Sequence, residues 1–173
     1  GRSRWAVAAL AGAGLCRESL LLVPLAVGFG QVLVERRSWR SVSPLLVPFG
    51  VYAGWVAVAW VRLDALPTDA GRGRLAAPLA GLLDSANAWR PADFAVAALL
   101  VVAGVGALVV GRRDPAGWVA GAFVLASLAF GSEVWARLED FARVLLPLGA
   151  FATLVVVPVL VEHRSAARAT AEV

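Results

Sequence analysis

At 173 residues, with 60% apolar and 16% charged side chains and a mean hydropathy of +0.78, the chain has too little polar surface to cover a soluble domain. Soluble domains run at about 45–50% apolar and about 25% charged. The net charge of +4 rests entirely on arginine, there being no lysine, and the arginines fall in the gaps between apolar runs. That placement suits the flanks of membrane helices and excludes a nucleic-acid-binding face, so no nucleic-acid partner is expected.

Charge-free windows locate six apolar segments: Trp5–Cys16, Ser19–Val34, Ser41–Val61, Phe94–Gly111, Pro115–Ser132 and Val144–Val161. Before the first, Arg2-Ser3-Arg4 reads as a helix flank rather than a signal peptide. With no methionine in the chain, a start upstream of Gly1 is expected. The first two windows hold 12 and 16 residues, short for a crossing, and Arg17-Glu18 lies between them. A single helix through both charges would bury them in mid-membrane at a cost of several kcal/mol, so a tight interfacial hairpin is the preferred reading. The last four windows hold 18 to 21 residues each. Eighteen helical residues rise about 27 Å, close to the hydrocarbon thickness of about 30 Å. Polar and apolar residues do not alternate as barrel strands require, and in lipid the backbone must satisfy its own hydrogen bonds, so helices are expected throughout.

The long gap Arg62–Asp93 reads as an outer loop, whose apolar middle Leu75–Leu83 contains Pro78 and is too short to span. It is expected to lie on or dip into the interface. The residues from Glu162 onward form an Ala- and Arg-rich tail with no visible core. The sequence thus predicts an all-α fold: one polytopic transmembrane helical bundle over residues 1–173, of about six spans, with one longer extracytoplasmic loop. Threading six spans puts Arg2, Arg4, Arg36, Arg37, Arg40, Arg112, Arg113, Arg164 and Arg168 on one side. Arg17, Arg62, Arg72, Arg74, Arg90, Arg137 and Arg143 fall on the other. The denser first set places both termini in the cytoplasm. Trp5, Trp39, Trp60, Trp89, Trp118 and Trp135 sit near span ends, where amphipathic rings favour the interface; Trp55 does not.

No phosphate loop, metal-spaced His/Cys set or Ser/His/Asp arrangement is present, so no cofactor, metal or catalytic residue is expected within the chain. His163 reads as a flanking residue of the last span and Cys16 as a small helix-packing residue. The chemistry-bearing positions are charges near the outer surface. Arg17 and Glu18 are neighbours in sequence that need not neutralise each other, and a planar guanidinium suits a phosphate; snorkelling plus an acidic helix start is the plain alternative. Arg143 directly precedes Val144-Leu145-Leu146-Pro147, where a cation would oppose the helix dipole and call for an anionic partner. A solvated charged turn from Glu133 to Arg143 is the default against which this stands.

Three stretches carry a family likeness. Gly12-Ala13-Gly14-Leu15-Cys16-Arg17-Glu18-Ser19 with Leu20–Leu25 resembles a helical hairpin of the GT-C glycosyltransferases, multi-spanning enzymes that use lipid-linked sugars. Arg74–Leu83 looks like an extracytoplasmic segment of such enzymes, and Asp140–Pro147 is similar to the start of a late helix in bacterial members. The resemblance implies a C-terminal portion of an enzyme transferring sugar from a polyprenyl-phosphate donor at the outer face of a bacterial plasma membrane. It implies a phosphate-binding role for Arg17 alone; Glu18 and Arg143 are candidate lipid-phosphate or substrate-binding residues from their own placement. It also implies that the catalytic carboxylate lies in a first outer loop upstream, so that this portion alone is inactive. A transporter or permease portion and a non-catalytic scaffold subunit are the alternatives. The partners expected are membrane lipid, the polyprenyl-phosphate sugar donor, and the rest of the chain or other membrane subunits.

Overall fold

The computed structural model describes residues 2–64 and 75–171, and side chains within 4–64 and 75–162. Arg72 and Arg74, and the side chains of Arg2, His163, Arg164 and Arg168, lie outside the described residues. The described chain is helical apart from turns and one isolated bridge between Leu75 and Phe130. In order the helices are α1 (Arg2–Cys16), α2 (Leu22–Leu33), α3 (Trp39–Val42), α4 (Val47–Leu63), α5 (Ala80–Ala86), α6 (Pro91–Val110), α7 (Pro115–Ser127), α8 (Ser132–Trp135) and α9 (Leu138–Ala171). Tight 3-10 turns at Glu18–Leu21 and Ser43–Leu46 lead into α2 and α4.

Three stretches are long and apolar enough to cross a membrane: Trp39–Leu63, Pro91–Val110 and Leu138–Glu162. Arg4–Cys16, Glu18–Leu33 and Pro115–Ser127 are apolar but shorter. Large apolar side chains are not confined to the core. Leu99, Val102, Val109, Leu125, Leu146 and Leu154 are 63–69% exposed, while small Ala107, Ala120 and Ala152 are buried. An apolar exterior of this kind is compatible with a lipid surround, whose tails are as apolar as leucine.

The core is built by α6, α7 and α9, which pack on one another. Phe123, Phe141, Leu145 and Leu148 fill its centre. Small residues set the helix spacing: a Cβ on Gly104 would strike Val124 and one on Gly121 would strike Leu108. At Gly117 the obstruction is main chain, the carbonyls of Gly111 and Ala107. α2 lies against α7, and there Gly30 leaves room for the Trp118 ring.

Against the tight hairpin predicted for residues 5–34, α1 does not fold back along α2. It packs instead on α4. Glu18 meets Tyr52, and further along α4 the same face presents half-buried Val56 and buried Ala59. On α1 the covered positions are Val7, Leu10, Ala11 and Gly14; Leu10 packs on the central core and Gly14 lies against Leu21. α1 and α2 therefore form one broken path running antiparallel to α3 and α4. Arg4 consequently lies toward the Leu63 end of α4, away from Arg36, Arg37 and Arg40 near Trp39, with which the six-span threading grouped it.

The stretch Leu75–Leu83 is tied to the turn after α7. Ala76 N–H donates to Ala129 O at 2.8 Å and Leu79 N–H to Leu128 O at 2.6 Å, and α5 packs on α8. Gly81 permits this, since a Cβ there would enter the main chain of Phe130 and Gly131.

Two glycines separate packing from mere apolarity. Gly117→Leu is expected to lower stability in detergent by about 1–3 kcal/mol or more, because the obstructing atoms are backbone. Gly106→Leu, with open space at its Cβ, should leave the melting temperature nearly unchanged. Thermal unfolding of both variants checks this.

Candidate functional site

The site begins with a proline. Pro147 lies inside α9 and has no N–H, so the carbonyl four residues earlier, that of Arg143, loses its intrahelical partner. An unmet carbonyl costs about 1–3 kcal/mol where water cannot reach it. The Arg17 guanidinium fills the vacancy: Nη1 donates to Arg143 O at 2.9 Å, across 126 residues of sequence.

Arg17 can do this because it is a joint. Its backbone is extended (φ −154, ψ 115), which ends α1. Its N–H still donates to Ala13 O at 2.9 Å, and its carbonyl accepts from Leu20 N–H at 3.0 Å to open the 3-10 turn. The main chain is satisfied on both sides while the side chain is released toward α9. Glu18, the first residue of that turn, accepts from the Tyr52 hydroxyl of α4 at 3.3 Å. Each charge at the break thus has a partner on a different helix. This is why the chain tolerates a broken helix where a hairpin was expected: the cost weighed against it was that of charges with no partner.

Arg143 is brought to Arg17 through its main chain, and its own side chain is exposed. Its placement in α9 corrects the sequence expectation. The helix opens at Leu138, so Glu139 and Asp140 occupy the first turn and Arg143 the second. The acidic residues meet the positive end of the dipole as usual, and no anionic partner is needed to explain Arg143 on that ground.

In the stretch leading into α9 the charged side chains of Glu133, Arg137, Glu139 and Arg143 are exposed, while its aromatic residues are packed. Trp135 is 2% exposed and packs with Trp89 and Phe141, with ring centroids 5.7 and 5.3 Å away. Trp89 Nε1–H donates to Trp135 O at 2.7 Å. This aromatic corner fixes the angle at which α9 leaves α8, and so the depth of the Arg143 carbonyl. Beside it, Asp84, Ser85, Ser132 and Glu133 border an open depression between α5 and α8. Among the described residues no group of three or more His, Cys, Asp or Glu is placed to hold a metal.

Of the predicted site residues, the Arg17 side chain therefore meets the Arg143 main chain and Glu18 meets Tyr52, while Tyr52 and Pro147 were missed. Pro147 had a legible signal, since a proline four residues after Arg143 frees that carbonyl in any helix. Tyr52 had none beyond being the sole tyrosine of the chain. Comparison with protein-family models, curated proteins and solved structures yields no match.

Removing the donor and removing the neighbouring charge should differ in effect. Arg17→Met keeps volume but strands the Arg143 carbonyl, and should lower stability by about 1.5–3 kcal/mol. Arg143→Met leaves that carbonyl in place and should cost less than about 0.5 kcal/mol. Chemical unfolding in mixed micelles measures both.

Proposed function

We propose that the chain is a multi-spanning membrane protein of the bacterial plasma membrane and a portion of a glycosyltransferase, with Arg17 and Arg143 binding the phosphate of a polyprenyl-linked sugar donor. The observation that carries the reading is the meeting of Arg17 with the second turn of α9, which gathers two arginines from opposite ends of the chain. A guanidinium has five N–H donors in a planar fork, and the contact with Arg143 O uses one of Arg17's. Phosphate suits the remainder of such a fork. Exposure favours a ligand that arrives laterally: Arg143 is accessible on the outer surface of α9, with Leu146 beside it 69% exposed. Membrane residence is supported by the three long apolar helices and the apolar exterior. The sugar-transfer chemistry comes from the resemblance of Gly12–Leu25 and Asp140–Pro147 to GT-C enzymes.

One observation favours a second reading, a transporter or permease portion. The break at Arg17–Glu18 lies opposite Tyr52, the fourteenth residue of the 25-residue stretch Trp39–Leu63. Interrupted helices with paired charges near mid-span mark substrate pathways in transporters.

The test uses full-length protein in neutral-lipid nanodiscs, titrated with a polyprenyl phosphate. Arg143→Gln, which leaves the main-chain contact intact, should weaken binding about 10- to 100-fold, the worth of a charge-assisted hydrogen bond. Unchanged binding would remove Arg143 from the site. Uptake of a water-soluble solute by sealed proteoliposomes, without phosphate binding, would favour the second reading instead.

A further inference from the structure

At the end of the bundle where α2 finishes and α7 begins, two basic turns meet. We propose that this edge is a binding surface for anionic phospholipid, the headgroup held by arginines and the acyl chains lying on α2. The inference rests on membrane residence but not on the phosphate role of Arg17.

The meeting is built by Trp118. Its ring packs on Gly30 of α2, where a Cβ would lie 2.8 Å from the ring, and its Nε1–H donates to Arg112 O at 2.9 Å. Val34, Glu35, Arg113 and Pro115 border the same narrow cleft. Arg36 and Arg37 are thereby set beside Arg112 and Arg113, although far apart in sequence. Arg40 follows in α3, next to Trp39, which is 71% exposed. All five arginines are exposed.

The carboxylates at this edge are largely committed. Glu35 pairs with Arg37 at 2.6 Å, and Asp114 accepts from Ala116 N–H as the cap of α7. Glu162 lies further along α9. Among the described residues, the opposite end carries Asp84, Asp93, Glu133, Glu139 and Asp140 beside Arg90, Arg137 and Arg143.

An anion bound here must also tolerate grease. Leu25, Phe29 and Leu33 are 42%, 54% and 61% exposed and stand four residues apart, forming an apolar stripe along α2. The stripe ends at Arg36 and Arg37. A soluble anion would use only the arginines, whereas an anionic phospholipid offers phosphate to them and acyl chain to the stripe. Clustered basic residues at a helix end are the usual footing for such lipids.

The experiment places full-length protein in phosphatidylcholine micelles and adds phosphatidylglycerol, reading lipid retention by native mass spectrometry and melting temperature. Phosphatidylglycerol should be retained over phosphatidylcholine and should raise the melting temperature. Combining Arg36→Gln, Arg40→Gln, Arg112→Gln and Arg113→Gln should cut that preference about tenfold or more, and Arg137→Gln, at the opposite end, should leave it intact. These four side chains are exposed, so the combined variant should melt like the parent in phosphatidylcholine alone. Equal retention of both lipids, an undiminished preference in the combined variant, or an equal stabilisation by inorganic phosphate overturns the proposal. Release of the protein from membranes by alkaline carbonate would sink membrane residence and this inference together. Membrane retention without lipid preference would sink this inference alone.

Discussion

A hydrogen bond from the Arg17 guanidinium to the carbonyl of Arg143 ties the break after α1 to α9, alongside the packing of α2 on α7. Where water cannot reach a stranded carbonyl, a proline inside a helix leaves a demand that a donor from elsewhere can meet. Pro147 creates that demand in α9, and the break after Cys16 supplies the answer from the other end of the chain. The consequences spread outward. Because Arg17 turns toward α9, Glu18 turns toward Tyr52 of α4 and α1 is led along α4 rather than back along α2. A charged dipeptide that would be a liability in lipid becomes the joint on which the helices are registered.

The rest of the architecture follows from small residues where helices touch and large ones where they do not. Gly104, Gly117 and Gly121 set the spacing of α6, α7 and α9. Gly81 lets the stretch Leu75–Leu83 lie on the turn that follows α7, and the Trp89–Trp135–Phe141 cluster holds the corner from which α9 departs. Without that corner the Arg143 carbonyl would not stand at the level of the break. Site and scaffold are therefore coupled: what positions the arginines is the packing of aromatic rings and glycines remote from them.

Much of this was legible in the sequence, and the failures have physical causes. Charge-free windows located the apolar helices, because a charge in lipid is costly enough to be excluded from nearly every long run. They could not tell how α1 would pack, since Val7, Leu10 and Ala11 fit α2 as well as α4 by composition. Arg17, Glu18 and Arg143 stood out as charges at odds with their surroundings; the Arg17 side chain meets the Arg143 main chain, and Glu18 meets Tyr52. The reason given for Arg143 failed because the start of α9 was read from the last charge before the apolar run. Helices begin where caps and acidic first turns allow, and Glu139 and Asp140 mark that point. Tyr52 could not be foreseen, since its partner lies across a helix interface that no local pattern encodes.

The central claim is that Arg17 serves the carbonyl that Pro147 strands, and a double-mutant cycle between the two residues tests it most directly. Pro147→Ala restores the N–H that Arg143 O would normally receive, so the donor from Arg17 becomes dispensable. Unfolding free energies should then show Arg17→Met costing at least about 1 kcal/mol less in the Pro147→Ala background than in the parent. Strictly additive effects would mean that the arginine and the proline act independently, and would contradict the account.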